Sequence, residues 1–262
     1  MWPIDVLTSE IIEPQWIVKD MIPREAAIIL AGEAGAGKSY LMYSMAYAIV
    51  TGRQFLGHDT VPTKILYFDE ENAEADFRQY NQWAWAALGC PSIQGFNDQL
   101  RLEHFALLSG WRGIMTQIVK EFQPGLVIID TATSAFNLVD ENDNAEAQRT
   151  ITDLRRIQEL VVPKPTLVVL KHEKQRDEIT HRRTIRGAKV WLGSFDQVLY
   201  HSVADGRPRK DGLRRTKLHP DKLRAFALRH DIKINPRFSE DTPKGLILEG
   251  SWADEAEKET TP

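Results

Sequence analysis

Cysteine is nearly missing: Cys90 stands alone among 262 residues. A single thiol excludes an internal disulfide and fits a reducing compartment. Long apolar runs are missing as well; no stretch approaches the roughly eighteen unbroken apolar residues of a membrane-spanning helix. An excess of positive charge is also absent, with 33 Lys and Arg against 37 Asp and Glu and a formal net charge of -4. A chain that is basic throughout is thereby excluded, and any nucleic-acid contact has to come from a local patch. The opening stretch "MWPIDVLTSEIIEPQW" has acids where a secretory signal needs a basic flank and a long apolar run. There is no internal repeat and no low-complexity linker. The expectation is a soluble, cytosolic protein with no membrane partner.

What is present is enough apolar material for a full core, 42% of the residues. Short apolar runs bounded by turns occur at residues 26–31, 64–69, 100–106, 125–130, 166–171 and 197–202. Helical patterns lie between most of them. In one, Trp111, Ile114, Met115, Ile118, Val119 and Phe122 repeat at helical spacing; in another, Ile151, Leu154, Ile157 and Val161 form the stripe. Strand and helix in alternation predict an α/β fold, a mainly parallel twisted sheet with helices on both faces. After residue 197 helices stop, and runs at 213–218, through Phe226, Leu228, Ile232 and Ile234, and at 245–250 predict antiparallel hairpins at the sheet's edge. This gives an N-terminal extension over 1–24, one domain over 25–250 and an acidic, disordered tail over 251–262.

The most specific stretch is "AAIILAGEAGAGKSYLMYSMA", residues 26–46. Gly32, Glu33, Ala34, Gly35, Ala36, Gly37, Lys38 and Ser39 satisfy GxxxxGKS between a strand and an apolar helix, the context this motif requires. Its glycines let backbone N–H groups turn inward around phosphate oxygens, and the helix N-terminus adds a positive dipole end. Lys38 is placed to reach the β and γ phosphates and Ser39 to ligate Mg²⁺, with Tyr40 completing the nucleotide-binding set.

A phosphate cradle needs acids at the strand ends facing it before it can hydrolyse anything. "GLVIID" ends in Asp130, the place for a carboxylate that holds Mg²⁺; a turn cap is its other use. "ILYFDEEN" ends in Asp69, Glu70 and Glu71. Glu71, at the strand's exit, is preferred over Glu70 as the group that polarises the attacking water, and capping of the following helix is the alternative for the cluster.

With "AGEAGAGKS", "LYFDEEN", "LVIIDTATSAF", "TLVVLKHEK" and "RGAKVWLGSFDQVLY" in this order, the chain resembles the RecA-like P-loop ATPases, specifically their hexameric replicative and plasmid-replication helicase branch, over roughly residues 15–240. The resemblance implies a RecA-like P-loop NTPase core, ATP and Mg²⁺ as cofactors, Glu71 as catalytic base and His172 as a polar sensor at the end of the following strand. It also implies two DNA-facing loops, after Asp130 and after His172. The second carries Lys174, Arg176, Arg182, Arg183 and Arg186 against Glu173, Asp177 and Glu178, a local positive excess that suits a phosphate backbone or a solvated face. The first is acidic, with Asp140, Glu141 and Asp143 around Phe136. Finally, Lys222 and Arg224 match the spacing of a KxR pair that touches a neighbouring subunit's γ-phosphate, which implies a ring, expected to be a hexamer, and catalysis between subunits. The expected function is an ATP-driven translocase or helicase on single-stranded DNA, with replication or recombination proteins as partners. A recombination ATPase comes second and a regulatory or remodelling ATPase without DNA third.

Overall fold

The computed structural model describes residues 14–89, 96, 98–107, 110–174, 185, 187, 189–204, 208–223, 230–240 and 245–252. Two short strands come first, β1 (Trp16–Val18) and β2 (Ile22–Pro23). Strand–helix pairs follow: β3 (Ala27–Gly32) with α1 (Lys38–Thr51), β4 (Ile65–Asp69) with α2 (Glu74–Ala87), and β5 (Leu100–His104) with α3 (Trp111–Phe122). Next, β6 (Leu126–Asp130) leads to α4 (Ala132–Phe136) and α5 (Asn144–Gln158), and β7 (Thr166–His172) to α6 (Val190–Ser194). Four strands close the chain: β8 (Gln197–Val203), β9 (Thr216–Leu223), β10 (Ile232–Phe238) and β11 (Leu246–Trp252).

Nine of these strands form one sheet in the order β11-β10-β9-β8-β3-β7-β6-β4-β5. From β8 to β5 every pair is parallel, and β9, β10 and β11 are added antiparallel. Strands β3, β4 and β6 are buried at every residue, which their unbroken apolar runs require once helices cover both faces. On one face Ile28, Leu30, Tyr67, Ile128 and Leu170 pack against α1 and α2. On the other, Ile29, Phe68, Ile129 and Val169 meet α3 to α6, where the helical stripes Met115–Val119 and Ile151–Leu154 are buried. Strands β3 to β8 thus fall within two residues of their sequence positions.

Ser251 and Trp252, expected in the tail, belong to β11 and pair with Lys233 and Ile232. Two further differences have local causes. Residues 16–23 lie in the stretch expected to be an extension, yet Ile17, Val18, Met21 and Ile22 are buried in the core beside α1. The first late strand starts at Thr216 instead of 213, because Leu213 closes a tight turn, its N–H bonding Asp211 Oδ1 and its carbonyl accepting from Arg209. Phe226 and Leu228 lie outside the described residues.

Parallel pairing lines up the strand ends that carry the chemistry. His172 and His201 both register with Gly32, and Asp69 registers with Asp130 on one side and His104 on the other. Strand β7 lies between β3, which leads into the phosphate loop, and β6, which ends in Asp130.

Candidate active site

Gly37 begins α1 with φ 87°, a left-handed conformation that glycine adopts without strain, and no side chain caps the helix. The first amides of α1 are thus left to the loop's concavity. Gly32 is needed for a different reason: a Cβ there would meet the His201 carbonyl oxygen at 2.3 Å. Inside the loop, Lys38 Nζ donates to the carbonyls of Gly32 (3.1 Å) and Glu33 (3.0 Å). Burial lowers the Lys38 pKa, while Asp130, Glu71, Glu173 and Glu33 pull it back upward. The acids keep the buried ammonium charged, and it is the charged ammonium that suits a polyphosphate.

Asp130 is buried at the end of β6. Burial and then the charge of Asp69 push its pKa up to about 7, against the hydrogen bonds of Ser39 and Tyr67, whose hydroxyl donates at 3.1 Å. The Asp130 carboxylate and the neighbouring Ser39 hydroxyl are hard oxygen donors that fit Mg²⁺, which keeps most of its waters and takes one or two protein ligands.

Glu70 and Glu71 diverge. Glu70 turns under the sheet, buried, and accepts the Leu107 N–H at 3.1 Å. Glu71 is half-exposed on the phosphate-loop side, with Oε1 3.0 Å from His172 Nε2. That hydrogen bond is the main cause of a lowered Glu71 pKa, so the carboxylate is ionised at neutral pH. Asp69 fixes the turn between them: its Oδ1 accepts the N–H groups of Glu71 (3.2 Å) and Asn72 (2.9 Å), and its Oδ2 accepts from the Asn72 side chain (2.8 Å) and Tyr43 (2.6 Å). Of the capping role considered for the acidic cluster, Asp69 takes a related one, holding the turn before α2.

A family model described as AAA domain matches residues 1–178, more than half of the chain. The chain belongs to that family. Two solved structures share the fold of this AAA-domain protein. One is the flagellar accessory protein FlaH from Methanocaldococcus jannaschii, at TM-score 0.56 and 15% identity, covering 87% of this chain and 91% of that one. The other is the KaiC-like protein PH0186 from Pyrococcus horikoshii OT3, at TM-score 0.56 and 13% identity, covering 88% and 93%. No curated protein matches. Family and fold together make the AAA-domain protein a RecA-like P-loop ATPase, for which ATP is the expected nucleotide.

The remaining sequence-selected residues divide. Lys174 is exposed just past β7, while Arg176, Arg182, Arg183, Arg186 and Arg224 lie outside the described residues. Lys222 has another partner set: its ammonium donates to the carbonyls of Leu192 (2.6 Å), Gly193 (3.0 Å) and Phe195 (2.6 Å) at the C-terminal end of α6. Lys222, like Lys38, would have to leave carbonyls of its own subunit to reach a phosphate. In the first loop, Phe136 is buried between Trp111 and Trp191. The acids there serve the loop itself: Asp143 caps α5 through Ala145 N–H, and Glu146 accepts from Val139 and Asp140.

Sequence reasoning missed a cavity of about 300 Å³ on the flank of the phosphate loop, walled by Gly37, Tyr40, Trp83, His201, Thr216 and Leu246. Tyr40 closes part of it by donating to the Leu246 carbonyl. Its walls come from α1, α2 and the late strands, which no local motif connects. Among the described residues, no helix is long and apolar enough to cross a membrane.

Proposed function

We propose that this protein hydrolyses ATP with Glu71 as general base and passes the state of the site through His172 to the basic segment that follows β7. The observation that supports the reading is the 3.0 Å contact between Glu71 Oε1 and His172 Nε2, beside Lys38 and Asp130. Lys38 leaves the Gly32 and Glu33 carbonyls for the terminal phosphates, the stronger, charged acceptors. Glu71, ionised, accepts the proton of the attacking water as its oxygen bonds to the γ phosphorus and the bond from that phosphorus to the β–γ bridging oxygen breaks, so that ADP leaves with that oxygen. Ser39 and Asp130 would hold Mg²⁺, which would supply positive charge against the phosphates. His172 keeps the Glu71 carboxylate aimed, and any movement of the carboxylate toward water draws on the strand leading to Lys174.

The client we assign to that segment is the phosphate backbone of single-stranded DNA, on the charge of Lys174, Arg176, Arg182, Arg183 and Arg186. A ring translocase or helicase in replication is the corresponding activity, with Arg224 as the group supplied to a neighbouring site. The test measures ATP turnover with and without single-stranded DNA across a salt series. DNA is expected to stimulate turnover, and Arg182→Ala with Arg183→Ala to flatten the salt dependence of binding by about 0.7 per lost contact. Turnover indifferent to DNA, with no DNA binding at low salt, removes this client. A second reading, a regulatory ATPase acting on protein, is favoured by the acidic first loop: its carboxylates and buried Phe136 offer nothing to a nucleic acid.

A further inference from the structure

His201 is 2% exposed in the second half of β8, against the start and the end of the phosphate loop. Its carbonyl faces Gly32, and its Cε1 lies 3.9 Å from where a Gly37 Cβ would stand. One ring nitrogen is engaged: Nε2 is 2.8 Å from Thr216 Oγ1. The other, Nδ1, is buried and has no hydrogen-bond partner among the described residues. An unpaired buried polar atom is costly, so a native fold that keeps one on a residue lining a cavity has reason to satisfy it with a ligand. Burial, with the Lys38 ammonium adding to it, pushes the ring's pKa down to about 3. His201 is consequently a neutral imidazole, able to offer one N–H or one lone pair without bringing charge near the phosphates.

The direction of a bound nucleotide follows from the loop. Its terminal phosphate faces Glu71 and Asp130, so the chain of phosphates leaves along the amides of α1 toward Tyr40. The sugar comes next, on the side away from the acids. That side is the cavity, bordered at once by Gly37, Tyr40 and His201. We propose that the His201 imidazole determines specificity for the ribose of the nucleoside triphosphate, with Nδ1 hydrogen-bonded to a sugar hydroxyl and Nε2 held in place by Thr216. The inference rests on the nucleotide-site reading above and adds a sugar-selective contact to it.

The test compares three ligands, ATP, 2′,3′-dideoxy-ATP and inorganic tripolyphosphate, by calorimetric titration of the wild-type protein, His201→Gln and His201→Asn. Gln extends its amide to the Nε2 position and keeps the Thr216 bond; Asn places its amide near the Nδ1 position and keeps the contact with the sugar. Wild type is expected to prefer ATP to the dideoxy nucleotide by about 5- to 150-fold, the range of one hydrogen bond denied to a buried partner. In His201→Gln the two nucleotides should bind alike, in His201→Asn the preference should persist, and tripolyphosphate affinity should be the same in all three proteins. A sugar preference that survives in His201→Gln overturns the proposal. So does an equal loss for all three ligands, which makes His201 a support of the loop. Wild type that binds no tripolyphosphate defeats the phosphate-site reading itself, a separate outcome. Thermal melting of each variant checks that the comparison is between folded proteins.

Discussion

Tyr43 and Tyr67 stack ring on ring, 4.4 Å between centroids and 4° between planes, and each donates its hydroxyl to a different strand-end aspartate. Tyr43 serves Asp69, which holds the Glu71 turn; Tyr67 serves Asp130, beside Ser39. A helix residue and a strand residue thereby fix the base and the metal-side acid relative to one another. Burial drives both phenol pKa values upward, so both remain donors at any working pH.

Tyr43→Phe keeps the stack and removes one hydrogen bond to a buried carboxylate. The expected cost is about 1.5–3 kcal/mol of stability, the range for hydrogen bonds to charged groups. Turnover should fall while ATP affinity changes little, because Glu71 loses aim but the phosphate loop is untouched. Denaturant unfolding and steady-state kinetics measure the two effects. A destabilised variant with full turnover would show that Asp69 does not position Glu71.

Neighbouring glutamates should separate cleanly. Glu71→Gln preserves shape but cannot accept a proton, so it should bind ATP and lose turnover by about 10² or more. Glu70→Gln sits under the sheet against Leu107 N–H and should keep turnover, with any change appearing in stability. The reverse pattern in single-turnover assays would transfer the base to Glu70.

The fold was legible because its signals are local. Unbroken apolar strands such as Leu126–Asp130 and helical stripes such as that of Trp111–Phe122 each declare their element within a dozen residues. The phosphate loop was legible for the same reason, and the choice of Glu71 over Glu70 rested on strand exit, which sets which side of the sheet each faces. Tyr43, Tyr67 and His201 gave no signal. Their roles depend on contacts across 26, 63 and 15 residues of sequence, and in the sequence they are ordinary residues of apolar elements. The resting contacts of Lys222 were illegible for the same reason. A KxR spacing says nothing of three carbonyls brought to the same point by α6.

His172→Ala removes the hydrogen bond chiefly responsible for holding the Glu71 pKa low. A base works only when ionised, so the rate falls below its pKa. Raising that pKa moves the acid limb of the pH–rate profile to higher pH. The expected profile for kcat is lower overall and displaced upward on the acid side, and DNA stimulation, where wild type has it, should shrink. An acid limb at the same pH would mean that His172 does not act through Glu71.

Arg224 tests the ring. If it completes a neighbour's site, Arg224→Ala should bind ATP and lose hydrolysis by about 10³ or more. Mixing it with Glu71→Gln protein should restore turnover, because some interfaces then pair an intact Glu71 with an intact Arg224. Recovery should vanish on dilution below the assembly range. Mixtures that stay inactive where subunit exchange is demonstrated would assign Arg224 to its own subunit or to solvent.

Lys171 carries the clearest pH dependence. It is 1% exposed on β7, its ammonium lies 4.5 Å from the centre of the Trp191 ring, and Nζ has no hydrogen-bond partner among the described residues. Burial pushes its pKa down to about 8, partly offset by Glu141. The sign follows from linkage. Between about 8 and the ordinary lysine value the unfolded chain binds more protons than the native one, so stability from this group rises with pH across that window. Below about 8 the lysine is charged in both states and the burial penalty is constant and full, on the order of 3 kcal/mol. Lys171→Met removes the charge at similar volume and keeps contact with the Trp191 ring. It should raise stability at pH 7 by roughly that penalty less the lost cation–π attraction of about 1–2 kcal/mol. Between pH 8 and 10 its stability should rise less steeply than that of the wild type. Urea unfolding at pH 7, 8, 9 and 10 reads both effects. Parallel pH curves for the two proteins would show that Lys171 finds a compensating anion in the native state and titrates normally.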